Sequence, residues 1–139
     1  MTGDEARAEL AEVGTARFTA RDYRPGIVRH IVLFRFSGDA SPYLVSGLVQ
    51  RFRDLTLAPR DDGGAYILSI ESGKQSSPED AGHGFEHAFI VSFASGGDRN
   101  YYVGKPILSD GDPFDSAHDA FKRAVEPALA DVLVFDFEP

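Results

Sequence analysis

Three of the four histidines in this chain stand among large apolar residues, at spacings that aim them inward. His30 shares an alternate-residue face with Val28, Val32, Phe34 and Phe36, and His87 shares one with Phe85, Phe89, Val91 and Phe93. His118 lies at i, i+3, i+7 spacing with Phe121 and Val125, which is one face of a helix. An imidazole titrates near ~6.5, so several of them in an apolar setting are a candidate acid/base site. Each one alone reads more simply as a core histidine with its own hydrogen-bond partner. Together they point to a pocket, with His30 and His87 as neighbours on adjacent strands and His118 brought over the same face by a helix. Tyr101 and Tyr102 stand just before a long loop, where they either supply a phenolic hydroxyl at the pocket mouth or pack as ordinary aromatics. Zinc accepts three imidazoles and a water, but no closely spaced ligand pair supports it, so no metal is expected. His83, between two glycines, reads as a solvent-exposed loop residue, and Glu86 and Asp119 are expected to point away from their histidine neighbours. Neither a serine elbow, a phosphate loop nor a CxxC motif is present.

The elements that must position these residues are marked by period and punctuation. Phe85–Ala94 alternates strictly and is apolar on both faces, the pattern of a central strand. Val28–Phe36 is a second such strand. Ser41-Pro42 reads as cap and first residue of an amphipathic helix that ends near Leu57. Tyr66–Ser72 is a strand with Tyr66, Leu68 and Ile70 on one face. Asp98 is expected to cap a short helix through Val103, and Asp115 or Ser116 a helix from Ala117 to Ala128. Val132–Phe137 is the last strand. The order β-α-β-β-α-β predicts an α+β, ferredoxin-like domain: a four-stranded antiparallel sheet with helices on one face. The helix-free face still carries Ile31, Leu33, Ala88 and Ile90, so a second copy is expected to cover it in a homodimer. Residues 1–26 read as a loosely held arm, or one packed on a partner subunit, and 27–139 as the domain. The loop from Lys105 to Asp115 is expected to shield the pocket mouth, with Ile107 or Phe114 as its plug.

Composition narrows the partners. A net charge of −8 disfavours nucleic acid and anionic membranes, both polyanions. The absence of cysteine removes disulfides and a thiolate nucleophile. No apolar run is long enough to span a bilayer, and the acidic start lacks the form of a signal peptide, so a cytoplasmic location is the default expectation.

IVRHIVLFRF at 27–36, ESGKQSSPEDAGHGFEHAFIVSF at 71–93, SAHDAFKRAVEPAL at 116–129 and VLVFDF at 132–137 together resemble the stress-responsive A/B barrel domain (Dabb) family. The resemblance implies a dimeric α+β barrel with an apolar, His-lined pocket for a small organic ligand, and no cofactor. One relative in this wider group, olivetolic acid cyclase, closes a polyketide by aldol condensation. By that likeness His118 paired with Tyr102 would do the acid/base work, Tyr102 stabilising a developing enolate. His30 and His87 would position the ligand, while Phe85, Phe89 and Phe121 would desolvate His118 and keep it neutral. The chain departs from that relative by about ten extra residues between Lys105-Pro106 and Ala117-His118. The resemblance therefore implies a ligand-binding domain first, and a cofactor-independent cyclase-like enzyme as the alternative.

Overall fold

In the computed structural model, which describes residues 1–139, the chain runs α1 (Gly3–Val13), α2 (Thr15–Phe18), β1 (Pro25–Phe36), α3 (Pro42–Arg53), β2 (Ile67–Lys74), β3 (His87–Ser95), α4 (Gly96–Val103), α5 (Ser116–Val125) and β4 (Leu129–Phe137). The strands form one antiparallel sheet in the order β2-β3-β1-β4. This is the ferredoxin-like α+β fold, with α4 as a short addition directly off β3.

Local chemistry sets the element ends. The Ser41 hydroxyl accepts the Leu44 N–H at 3.1 Å, with Pro42 opening the first turn of α3. The Asp115 carboxylate accepts the His118 N–H at 2.9 Å and so fixes the start of α5. The cap of α4 is Ser95 rather than Asp98: Ser95 is still extended, and its hydroxyl accepts the Asp98 N–H at 3.0 Å. The helix α5 stops at Val125, three residues earlier than expected, because Glu126–Ala128 tighten into a 3-10 turn around Pro127. On β1 the residues Val28, His30, Val32, Phe34 and Phe36 are all buried under the helices. Phe52 of α3 stacks on Phe89 with centroids 3.9 Å apart and planes 5° apart, and Phe34 and Phe121 meet that stack edge-on.

Two strand expectations need correction. A register shift between Ile67 and Ser69 breaks the alternation of β2, so Tyr66 and Ile67 are buried while Leu68 is 55% exposed. The strand β3 begins at His87, not Phe85, because the chain turns through His83 and Gly84 at positive φ, and the Phe85 N–H closes onto the Gly82 carbonyl at 3.0 Å.

The arm departs furthest from its sequence reading. It packs on its own domain, most firmly through its second half. Thr2 and Glu5 cap α1 reciprocally, each side chain taking the other's backbone N–H. Ala6, Phe18 and Tyr23 then join Leu108 in a second small core, with Leu10, Ile107 and Phe114 against it. On the opposite side of the sheet Ile31, Leu33 and Ile90 are only half-buried, and Leu133, Phe135 and Phe137 are exposed. No helix is long and apolar enough to cross a membrane.

Candidate functional site

A cavity of about 580 Å³ lies between β1, β4, α5 and the arm. Its walls are mostly apolar, with Val32, Phe34, Phe121 and Val134 among them, and its polar end is built around two histidines. The pairing of β1 with β4 sets Asp136 directly opposite His30. The His30 Nδ1–H donates to Asp136 Oδ1 at 2.7 Å, and Arg99 Nη1 donates to the other carboxylate oxygen at 3.0 Å. Burial pushes the Asp136 carboxyl up, but the hydrogen bonds and charges of His30 and Arg99 outweigh it and hold the group below the usual carboxylate range.

His118 is arranged differently. Its Nδ1 lies 2.5 Å from the Tyr102 backbone carbonyl. A carbonyl oxygen only accepts, so Nδ1 carries the hydrogen and Nε2 is left with its lone pair. Burial drives the His118 pKa down to about 3; the carbonyl opposes this, and nearby Lys122 and His30 add to it. His118 is therefore neutral at pH 7 and a very weak base. Neither His30 nor His118 has a protein partner at Nε2, and both rings border the cavity.

Tyr102 holds these two rings together without reaching the cavity. Its ring stacks on His118 with centroids 3.7 Å apart and planes 14° apart, and meets His30 at 5.5 Å edge-on. Its hydroxyl is fully buried with no hydrogen-bond partner, and burial pushes its pKa well above the ordinary phenol value. Tyr102 is not on the cavity wall. Tyr101 turns the other way, under the guanidinium of Arg60, which pairs with Asp98 at 2.9 Å in the interior.

His87 is not a neighbour of His30. Antiparallel pairing puts His30 opposite Val91, and His87 is four residues further along β3, ~13 Å at strand rise. There His87 packs on Phe89 at 4.9 Å, and burial, with Arg53 and Lys74 nearby, lowers its pKa. Its Nε2 is buried and unpartnered. Phe89 sits in the main core, and Phe85 beside a shallow polar groove with Lys74 and Glu86. Of the residues picked out in the sequence, then, His30, His118 and Phe121 meet on the cavity wall; Tyr102, His87, Phe85 and Phe89 do not. Ile107 also reaches the wall, whereas Phe114 packs into the arm's small core. No group of three or more His, Asp or Glu side chains is placed to hold a metal ion.

The residue that sequence reasoning missed is Asp136. Its signal was present: Val132, Val134 and Asp136 alternate on one face of VLVFDF, and an acid on the inward face of an apolar strand needs a partner. Arg99 and the arm's contribution carry no comparable signal.

Residues 28–139 match the family described as the Stress responsive A/B Barrel Domain, Dabb. The chain belongs to the Dabb family. Solved structures agree with the fold of this Dabb domain. The Arabidopsis thaliana protein At3g17210 is 25% identical with a TM-score of 0.62, covering 81% of this chain and 94% of that one. A hydroxynitrile lyase from Passiflora edulis is 24% identical with a TM-score of 0.65, covering 83% and 94%. A dimeric ferredoxin-like protein of unknown function from Thermobifida fusca is 19% identical with a TM-score of 0.61, covering 85% and 96%. No curated protein gives a significant match. The family match begins at residue 28, so α1 and α2 lie outside the Dabb domain.

Proposed function

We propose that this Dabb protein binds a small, largely apolar organic molecule through one hydrogen-bonding end. The observation that carries this reading is the pair of buried imidazoles whose Nδ1 atoms are engaged and whose Nε2 atoms have no protein partner beside an apolar cavity. The neutral His118 offers only a lone pair there, so the ligand end that meets it is a hydroxyl, enol or amine donor. A cavity of about 580 Å³ is within the usual range for small-molecule sites. The reading requires neither metal nor cofactor. Binding of alkylphenols and enolisable 1,3-diketones, followed by calorimetry, tests it. Val134→Trp, which fills the cavity, is expected to abolish binding, and His118→Phe to weaken it about tenfold, or ~1.4 kcal/mol. Undiminished binding by Val134→Trp would place the ligand elsewhere.

A second reading, cyclase-like proton transfer on such a ligand, is favoured by the His30–Asp136 pair. A carboxylate behind Nδ1 fixes the tautomer and supports positive charge as Nε2 takes a proton. In this reading the general base is His30. His118, too weakly basic for that task, would orient the ligand as an acceptor, and Tyr102 would act by packing the two rings. Asp136→Asn separates the readings. It keeps an acceptor for His30 but removes the charge, so turnover of a poly-β-ketone should fall at least a hundredfold while ligand affinity changes less than threefold. Equal losses in both would reject the catalytic role.

We also propose that a second copy covers the helix-free face. Support comes from the exposed Leu133, Phe135 and Phe137 beside half-buried Ile31 and Ile90, and from the dimeric Thermobifida fusca relative.

A further inference from the structure

We infer that α1, outside the Dabb domain, is a hinged wall of the ligand cavity that sets both access and the size of the molecule admitted. The inference rests on the binding function proposed above. The arm supplies Met1, Thr2, Gly3, Ala6 and Phe18 to the cavity wall. It is attached unevenly. Its second half is tied down at many points. Phe18 and Thr19 are buried, and Asn100 Nδ2 donates to the Phe18 carbonyl at 2.9 Å. The Gly96 and Gly97 N–H groups donate to the carbonyls of Arg24 and Tyr23 at 2.9 and 3.0 Å. The Arg21 guanidinium forks onto Asp62 and reaches the carbonyls of Gly64 and Ala65.

The first half is held far more lightly. Of the eleven residues of α1 only Ala6 is buried, and Leu10 is half-buried. Beyond α1 itself its polar ties converge on one side chain, Glu9, which accepts from the Tyr23 hydroxyl and from Arg24. Between the two halves stands Gly14 at φ +84, with open space around the position of a side chain. A glycine there can change its dihedrals at little steric cost, which is what a hinge needs. At the far end, a Cβ on Gly3 would lie 4.0 Å from Ile107 Cδ1, a residue of the cavity wall on the loop after α4. So α1 spans from a firm anchor, through a hinge, to a contact across the cavity. Swinging it out opens that wall without disturbing the sheet, and leaving it in place limits how far a ligand extends beyond the histidines.

The chain has no cysteine, so a reversible lock can be introduced into it. In Gly3→Cys/Ile107→Cys, oxidation joins α1 to the loop and reduction frees it, within one folded protein. The probe is 1-naphthol, a fluorescent apolar molecule with one hydroxyl, followed by stopped flow. Oxidation is expected to slow its uptake and release at least tenfold, and reduction to restore both. In Leu10→Asp, which undocks α1, uptake should quicken and larger probes such as 4-phenyl-1-naphthol should bind. Equal rates in oxidised and reduced protein, with Leu10→Asp no faster, would overturn the gate while leaving the binding site standing. Absence of 1-naphthol binding in every form, including the unmodified chain, would remove the site and the gate together.

Discussion

His118 stores a pH dependence in a single ring. Its unfolded value lies near ~6.5 and its folded value at about 3, held down first by burial. Between those values the unfolded chain binds more protons than the folded one. Stability from this residue is therefore undiminished above ~6.5 and falls as pH drops through the window. At pH 5 the loss relative to pH 7 should be about 2 kcal/mol. Asp136 works at lower pH. Its folded pKa is depressed, so the stability of its pairing is present above the ordinary carboxylate value and is lost only as pH falls below it. His118→Asn keeps a donor near the Tyr102 carbonyl and removes the titration. Urea unfolding at pH 7 and pH 5 should show the difference shrinking by about 2 kcal/mol in that variant. An unchanged difference would mean that His118 is protonated in the folded protein.

At the scale of elements, the arm depends on one position in α4. A Cβ on Gly97 would fall 1.7 Å from the Ala20 carbonyl oxygen, and backbone cannot yield as a side-chain end can. We expect Gly97→Ala to separate the arm from α4 and lower stability by about 2–3 kcal/mol, read as a drop in denaturant midpoint. Amide exchange should rise across residues 15–24 while the sheet stays protected. The same interface shows where the sequence was legible. Strands and helices announced themselves because each contains its own period: Val28 to Phe36 alternates, and His118, Phe121 and Val125 recur at helical spacing. The arm did not, because its core is shared with Leu108 and Phe114 some ninety residues on, leaving too thin an apolar stripe in α1 to read. The site was half legible for the same reason. His30, His118 and Phe121 could be placed on faces. That His87 lies along the strand from His30, and Tyr102 beneath the two rings, follows from strand register and helix docking, which no local pattern encodes.

For the whole molecule, the exposed apolar face sets the assembly expected in solution. Light scattering at micromolar concentration should give twice the chain mass. Ile90→Asp or Phe135→Asp should give monomer or aggregate, because pairing the faces would then bury a lone charge. A well-behaved monomer of the unmodified chain would reject the second copy. The edge strand β4 gives this arrangement its weak point, with Val132 and Val134 about half exposed on the cavity side and Phe135 59% exposed on the other.

The hydrogen bond between His30 and Asp136 closes across 106 residues of chain. That separation gives it a meaning in time as well as in space. Contacts so distant along the chain carry more loop-closure entropy than local ones, and this one forms with the pairing of β1 with β4. The hairpin of β2 and β3 and the aromatic stack of Phe52 on Phe89 involve shorter closures and can form earlier. We therefore expect the polar end of the cavity to be completed after that hairpin, so that a refolding chain pairs those strands before it can bind a ligand there. In a refolding experiment, protection of amides in β2 and β3 should lead, and 1-naphthol binding should lag behind it.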